Sequence, residues 1–136
     1  MNAVEQEIWS FLHRHLSSIF NQDLETYKAT TSVDLGLYEW YITPHRLDGL
    51  DFHLFMNEHH RMKEDEAYRY DLLEPRLQVY GDTVIASYTF MLSKGKDGGT
   101  THTMYNESRV LVKTAEGWRV VHVHKSPAWQ APLRPT

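Results

Sequence analysis

Glu107-Ser-Arg-Val-Leu-Val-Lys113, then Ala115-Glu-Gly117, then Trp118-Arg-Val-Val-His-Val-His-Lys-Ser126 is the stretch whose reading decides the fold. Two runs rich in β-branched residues, joined by a Gly-containing connection of about three residues, read as a β-hairpin. Period-two geometry puts Glu107, Arg109 and Leu111 on one face of the first strand, with Val110 and Val112 on the other. On the return strand Val121, Val123 and Lys125 share a face, and Trp118, Val120, His122 and His124 share the opposite one. Both faces are half apolar, with Arg109, His122, His124 and Lys125 threaded among valines. Such a hairpin is expected in mid-sheet, with something packed on each side.

Working upstream, Thr83 to Leu92 alternates Val84, Ala86, Tyr88 and Phe90 with Ile85, Ser87, Thr89 and Met91, a strand pattern. Gly81-Asp82 turns it back onto Tyr68 to Tyr80, where Pro75 implies a bend or bulge. Lys94 to Gly99 reads as a mobile polar loop leading into the strand Thr101 to Lys113. The amino-terminal third is different. Val4, Ile8, Phe11, Leu12, Leu16, Ile19 and Phe20 follow the helical period over residues 2 to 21, giving an apolar stripe that needs a sheet to lie on. Asn21-Gln-Asp23 is a break and a cap for a short helix, Leu24 to Thr30, with Leu24, Tyr27 and Lys28 turned inward. Val33 to Ile42 is an aromatic-rich strand or extended arm ended by Pro44. Gly49 precedes a third helix, Leu50 to Lys63, and Arg61 to Glu66 is a solvated charged run. Helices first and strands after describe an α+β domain spanning residues 1–136, with 127–136 an extended tail. A long, bent antiparallel sheet cupping a helix leaves a cone-shaped cavity lined by mid-strand polar residues.

Composition narrows the function classes. A formal charge of −4 with scattered Lys and Arg disfavours nucleic acid as a partner. No apolar run approaches the roughly 20 residues a membrane helix needs, so no membrane partner is expected. The start, Met1-Asn-Ala-Val-Glu-Gln-Glu7, lacks the basic and apolar blocks of a secretion signal. The chain has no cysteine, hence no disulfide, thiol nucleophile or thiolate metal site. A cytoplasmic protein is the expectation.

Four segments occurring in order, Gly49-Leu-Asp-Phe-His-Leu-Phe55, Leu77-Gln-Val-Tyr-Gly81, Glu107-Ser-Arg-Val110 and Gly117-Trp-Arg-Val-Val-His-Val-His-Lys-Ser126, carry a resemblance. Together they resemble the association (hub) domain of calcium/calmodulin-dependent protein kinase II and its stand-alone bacterial relatives in the SnoaL-like, nuclear-transport-factor-2-like superfamily. No kinase motif is present. The resemblance implies a curved sheet over helices, a deep pocket and homo-oligomerisation through the sheet. It also implies inward basic residues in the pocket. Arg109 stands at one such position and Lys125 at another. The third, on the preceding strand, falls on Thr89, which carries no charge.

The candidate chemistry follows. Glu107, Arg109 and Lys125 are placed on one concave surface, where a buried guanidinium must be paired or solvated. Arg109 therefore either bridges Glu107 or binds an anion such as a carboxylate. His122 and His124 point the same way, roughly 7 Å apart by strand rise. That spacing suits metal ligands, yet no third ligand announces itself, and neither they nor His59-His60 predict a metal. No cofactor is expected. Asp51 and His53, near the start of the third helix, are candidate general bases; Asp51 also suits a helix start on dipole grounds. Tyr27, Trp40, Phe52, Phe55 and Tyr88 would supply aromatic walls. Two functions of different class result. One is a self-associating domain with a basic pocket for a small carboxylate or other anion, using Arg109 and Lys125. The other is a SnoaL-type lyase or isomerase acting on a small carbonyl compound, using Asp51, His53 or a histidine of the final strand.

Overall fold

A computed structural model describes residues 1–57, 67–96 and 98–129. The charged run at 61–66, His59-His60, the second half of the expected third helix and the tail from 130 lie outside the described residues. The first helix, α1, spans Ala3–Phe20. Asn2 caps it: its side-chain oxygen accepts from the Glu5 backbone N–H at 2.9 Å, and its amide donates to the Glu5 carboxylate at 2.9 Å. The helical spacing of the apolar residues brings Ile8, Phe11, Leu12 and Leu16 onto one buried stripe. Each such side chain, fully removed from water, contributes about 1.5–3 kcal/mol. Asp23 caps α2, Leu24–Thr30, by accepting from Thr26 N–H at 3.2 Å. Tyr27 faces inward as expected, but Leu24 and Lys28 are exposed.

The strands are β1 (Thr31–Glu39), β2 (Thr43–Asp48), β3 (Ala67–Tyr80), β4 (Thr83–Lys96), β5 (Gly99–Thr114) and β6 (Gly117–Pro127), with α3 (Leu50–Asn57) between β2 and β3. They form one curved sheet in the order β2-β1-β6-β5-β4-β3. The sheet is mixed rather than antiparallel throughout, because β1 and β6 pair in parallel. These two strands come from opposite ends of the chain. The meander from β3 to β6 delivers the last strand beside the first in the same direction, a partnership that no local pattern records. Pro44, expected to end the β1 region, instead sits in the short edge strand β2, where a missing N–H costs little.

Two irregularities bend the sheet. Between Leu73 and Arg76 the β3–β4 register shifts, with Glu74 at a φ of 50° just before Pro75, the bulge that the proline predicted. In the opening hairpin the pairing steps from Val110↔His122 to Leu111↔Val120, leaving Val121 unmatched. That extra residue resets the alternation. Trp118, Val120, Val123 and Lys125 all turn to the concave side, while His122 and His124 turn to the convex side. The simple period-two grouping of β6 is thereby corrected. The connection itself is Ala115-Glu116, with Gly117 opening β6 at a φ of +105° that favours glycine. Of the expected loop, Lys94 to Lys96 belongs to β4 and Gly99 opens β5, with pairing that continues to Lys96↔Gly99.

The core lies between the α1 stripe and the concave face, where Val84, Leu111 and Val120 meet Ile8, Leu12 and Leu16. Beside them, Phe90 stacks on Phe20, Tyr70 and Tyr105 at 5.9, 5.4 and 5.2 Å between centroids. Among the described residues no helix is long and apolar enough to cross a membrane.

Candidate functional site

The register of four neighbouring strands sets up a polar row on the concave face. Glu39 of β1 is opposite Lys125 of β6, Lys125 is opposite Glu107 of β5, and Glu107 is opposite Tyr88 of β4. Arg109, two residues beyond Glu107, occupies the same face. Leu35, Leu37 and Glu39 alternate inward along β1, so a carboxylate ends a row of buried leucines. Glu39, Lys125, Glu107 and Arg109 lie on the floor of a cavity of about 750 Å³, a volume suited to a small organic molecule, whereas Tyr88, expected as an aromatic wall, is not part of its lining. Leu16, Ile19, Phe90 and Trp40 form apolar wall, and Tyr105 lies beside the row. A second hollow, about 790 Å³, lies outside the cone among α2, the start of β1 and the β5–β6 turn, away from this row.

The buried charges are paired. Lys125 Nζ donates to Glu39 Oε2 at 2.5 Å, and the Tyr41 hydroxyl donates to the same oxygen at 2.8 Å. Burial opposes ionisation of Glu39, but the Lys125 ammonium overrides it and the carboxyl titrates at about 2. Burial likewise works against the Lys125 charge, and the Glu39 carboxylate outweighs it, holding the ammonium well above its ordinary range. Arg109 Nε donates to Glu107 Oε1 at 3.0 Å and to the Tyr88 hydroxyl at 3.0 Å, and Tyr88 donates on to Glu107 Oε1 at 2.8 Å. Arg109 and Glu107 are 2% and 3% exposed, so this pair exists only because each partner compensates the other.

Arg109 has a third partner. Its Nη1 is 3.1 Å from His15 Nε2, and His15 Nδ1 is 2.7 Å from Thr30 Oγ1, which donates to the Thr26 carbonyl at 2.9 Å. Only a neutral imidazole with its proton on Nδ1 satisfies this chain, accepting from arginine and donating to threonine. Burial first, then the charges of Arg109 and Lys125, drive the His15 pKa well below its ordinary value. His53, also buried, meets the Tyr27 hydroxyl at 2.6 Å through Nε2. Its pKa falls to about 4, chiefly by burial, while burial raises the Tyr27 phenol to about 12.

Of the residues singled out in the sequence, Glu107, Arg109, Lys125, Tyr27 and Trp40 line the cavity. Others do not. Thr89 faces the convex side, where its hydroxyl donates to Asn106 at 2.8 Å, because Tyr88 and Phe90 take the inward positions. Phe52 and Phe55 stack on each other at 6.4 Å, roughly half exposed on α3, and Leu54 lines the cavity in their place. Asp51 is exposed in the first turn of α3. His122 and His124 contact the Tyr38 ring, at 6.3 and 4.9 Å, on the sheet's outer face. The expected basic pocket is qualified too: Arg109 and Lys125 are each paired with a carboxylate, Glu107 and Glu39, and Lys94 is a further cation in the lining. Sequence reasoning missed Glu39 and His15. Both were accessible: Glu39 continues the inward period of Leu35 and Leu37, and His15 lies four residues after Phe11, inside the apolar stripe of α1.

A family model described as calcium/calmodulin-dependent protein kinase II association domain matches residues 4–129. The chain belongs to that family. It is 27% identical over 137 residues to calcium/calmodulin-dependent protein kinase type II subunit delta of Oryctolagus cuniculus, covering 99% of this chain and 26% of the kinase. The chain thus spans about a quarter of that relative's length. Among solved structures, the hub of S. rosetta calcium/calmodulin-dependent kinase II superposes with a TM-score of 0.78 at 27% identity, over 90% of this chain and 95% of the hub. A nuclear-transport-factor-2-like protein from Salmonella enterica superposes with a TM-score of 0.74 at 25% identity, over 96% of this chain and 94% of that one. The association-domain chain therefore has the α+β, nuclear-transport-factor-2-like fold expected from its sequence.

Proposed function

We propose that this association-domain chain is a cytoplasmic, self-associating domain that assembles with copies of itself through the sheet and holds a small carboxylate in its cavity. Support for assembly comes from the family and from the convex face. Ile85, Val110 and Val112 there are only half-buried within the single chain, amid the uncharged polar residues Thr89, Asn106 and Ser108. A row of this kind is suited to cover by a second copy. The observation that carries the ligand-binding part is the meeting of Arg109 and Lys125 on the floor of a 750 Å³ cavity with aromatic walls. Binding fits better than catalysis, because Asp51, His122 and His124 stand away from the cavity and His53 is committed to Tyr27.

The test is calorimetric titration of the full chain with small carboxylates such as benzoate and pentanoate. Lys125→Met should weaken binding about tenfold or more by removing a charge-assisted bond, while the oligomer persists. Equal affinity in the two proteins would overturn the ligand reading.

A further inference from the structure

On the floor of the cavity Lys125 is paired with Glu39 and Arg109 with Glu107, and Lys94 also lines the cavity. The hydrogen bonds left open on the floor point to a ligand with a second charged group. Glu39 Oε2 takes both of that residue's hydrogen bonds, from Lys125 and Tyr41, while Oε1 is buried and takes none from the described residues. Arg109 uses Nε and one N–H of Nη1 on Tyr88, Glu107 and His15, so that Nη2 and the second N–H of Nη1 are open donors among the described residues. Both residues line the cavity. Glu39 thus keeps a buried carboxylate oxygen with no partner among the described residues, and Arg109 keeps open guanidinium N–H groups, in a cavity with apolar and aromatic sides.

We infer that the ligand is a small zwitterion, an amino acid with an apolar body, whose carboxylate meets Arg109 and whose ammonium meets Glu39. This rests on the carboxylate-binding reading above and adds to it a second charged recognition point. Such a ligand adds no net charge to the floor and makes a charge-assisted bond at each end. The apolar body then lies along Leu16, Ile19 and Phe90.

Two matched probe sets separate the possibilities by calorimetry on the full chain: L-phenylalanine, 3-phenylpropanoate and 2-phenylethylamine, and L-leucine, 4-methylpentanoate and 3-methylbutylamine. The expected result is that at least one amino acid binds about tenfold or more tightly than both of its single-charge counterparts. Glu39→Gln, which keeps the side-chain shape, should abolish that preference. If the simple acids bind as tightly as the amino acids, the zwitterion is refuted while carboxylate binding stands. If no acid and no amino acid of either set binds, both fall. The wild-type comparison alone decides the matter should Glu39→Gln fail to fold.

Discussion

Acidification from pH 7 to pH 4.5 perturbs two buried histidines before it touches the carboxylates they sit among. His53 titrates near 6.5 when unfolded and at about 4 when folded, and His15 is displaced in the same direction. As the pH falls through 6.5, the unfolded imidazoles take up protons that the folded ones refuse, so protons bind preferentially to the unfolded chain and stability falls. Each such histidine costs about 1.4 kcal/mol per pH unit inside its window. For His53 alone, that amounts to about 3 kcal/mol by pH 4.5. His15 adds a loss of the same sign. Glu39 acts in a separate window: its depressed pKa stabilises the fold above about 4.5, and that contribution is lost only as the pH falls from there toward about 2. The assay is urea denaturation followed by tryptophan fluorescence at pH 7, 6, 5 and 4.5, at one fixed protein concentration because assembly also contributes to stability. His53→Gln should keep a partner for Tyr27 and remove about half of the slope. A stability unchanged between pH 6.5 and 4.5, or a slope that His53→Gln leaves unaltered, would refute the burial of neutral imidazoles.

Arg109→Ala should destabilise the fold by about 3–5 kcal/mol, because Glu107 is left as an uncompensated buried charge. The Glu107→Ala, Arg109→Ala double change should cost less than the sum of the two; denaturation of the three variants measures both, and strict additivity contradicts the pairing. Gly36→Ala would put a Cβ 3.0 Å from His122 Nδ1, so it should cost about 1 kcal/mol and be rescued by His122→Ala. Thermal melts of the single and double variants check this, and a Gly36→Ala protein as stable as the parent would count against the close β1–β6 contact.

Local signals in the sequence specified local structure well. The α1 stripe, the Asp23 cap, the bend at Pro75 and the inward set Glu107, Arg109 and Leu111 are all properties of short windows with a fixed period. What was not legible depends on distance or on one extra residue. The parallel β1–β6 pairing joins residues such as Glu39 and Lys125, far apart in the chain, and only the assembled sheet reveals it. Val121 changes which face Val120, Val123 and Lys125 share, and no residue type marks a bulge of that kind. Charge pairing was half visible: Glu107–Arg109 lies within one strand, whereas Glu39–Lys125 and His15–Arg109 require separate elements to be brought together. For that reason two cations read as free for a ligand prove to be paired with carboxylates.

Self-association is the property that every part of the proposed role depends on. Native mass spectrometry of the full chain at micromolar concentration, from near-neutral volatile buffer, reports the subunit number in one spectrum. A discrete homo-oligomer with no substantial monomer is expected. A monomer persisting across the concentration range would contradict it, and would leave Ile85, Val110 and Val112 as ordinary half-buried surface rather than the face that a second copy covers.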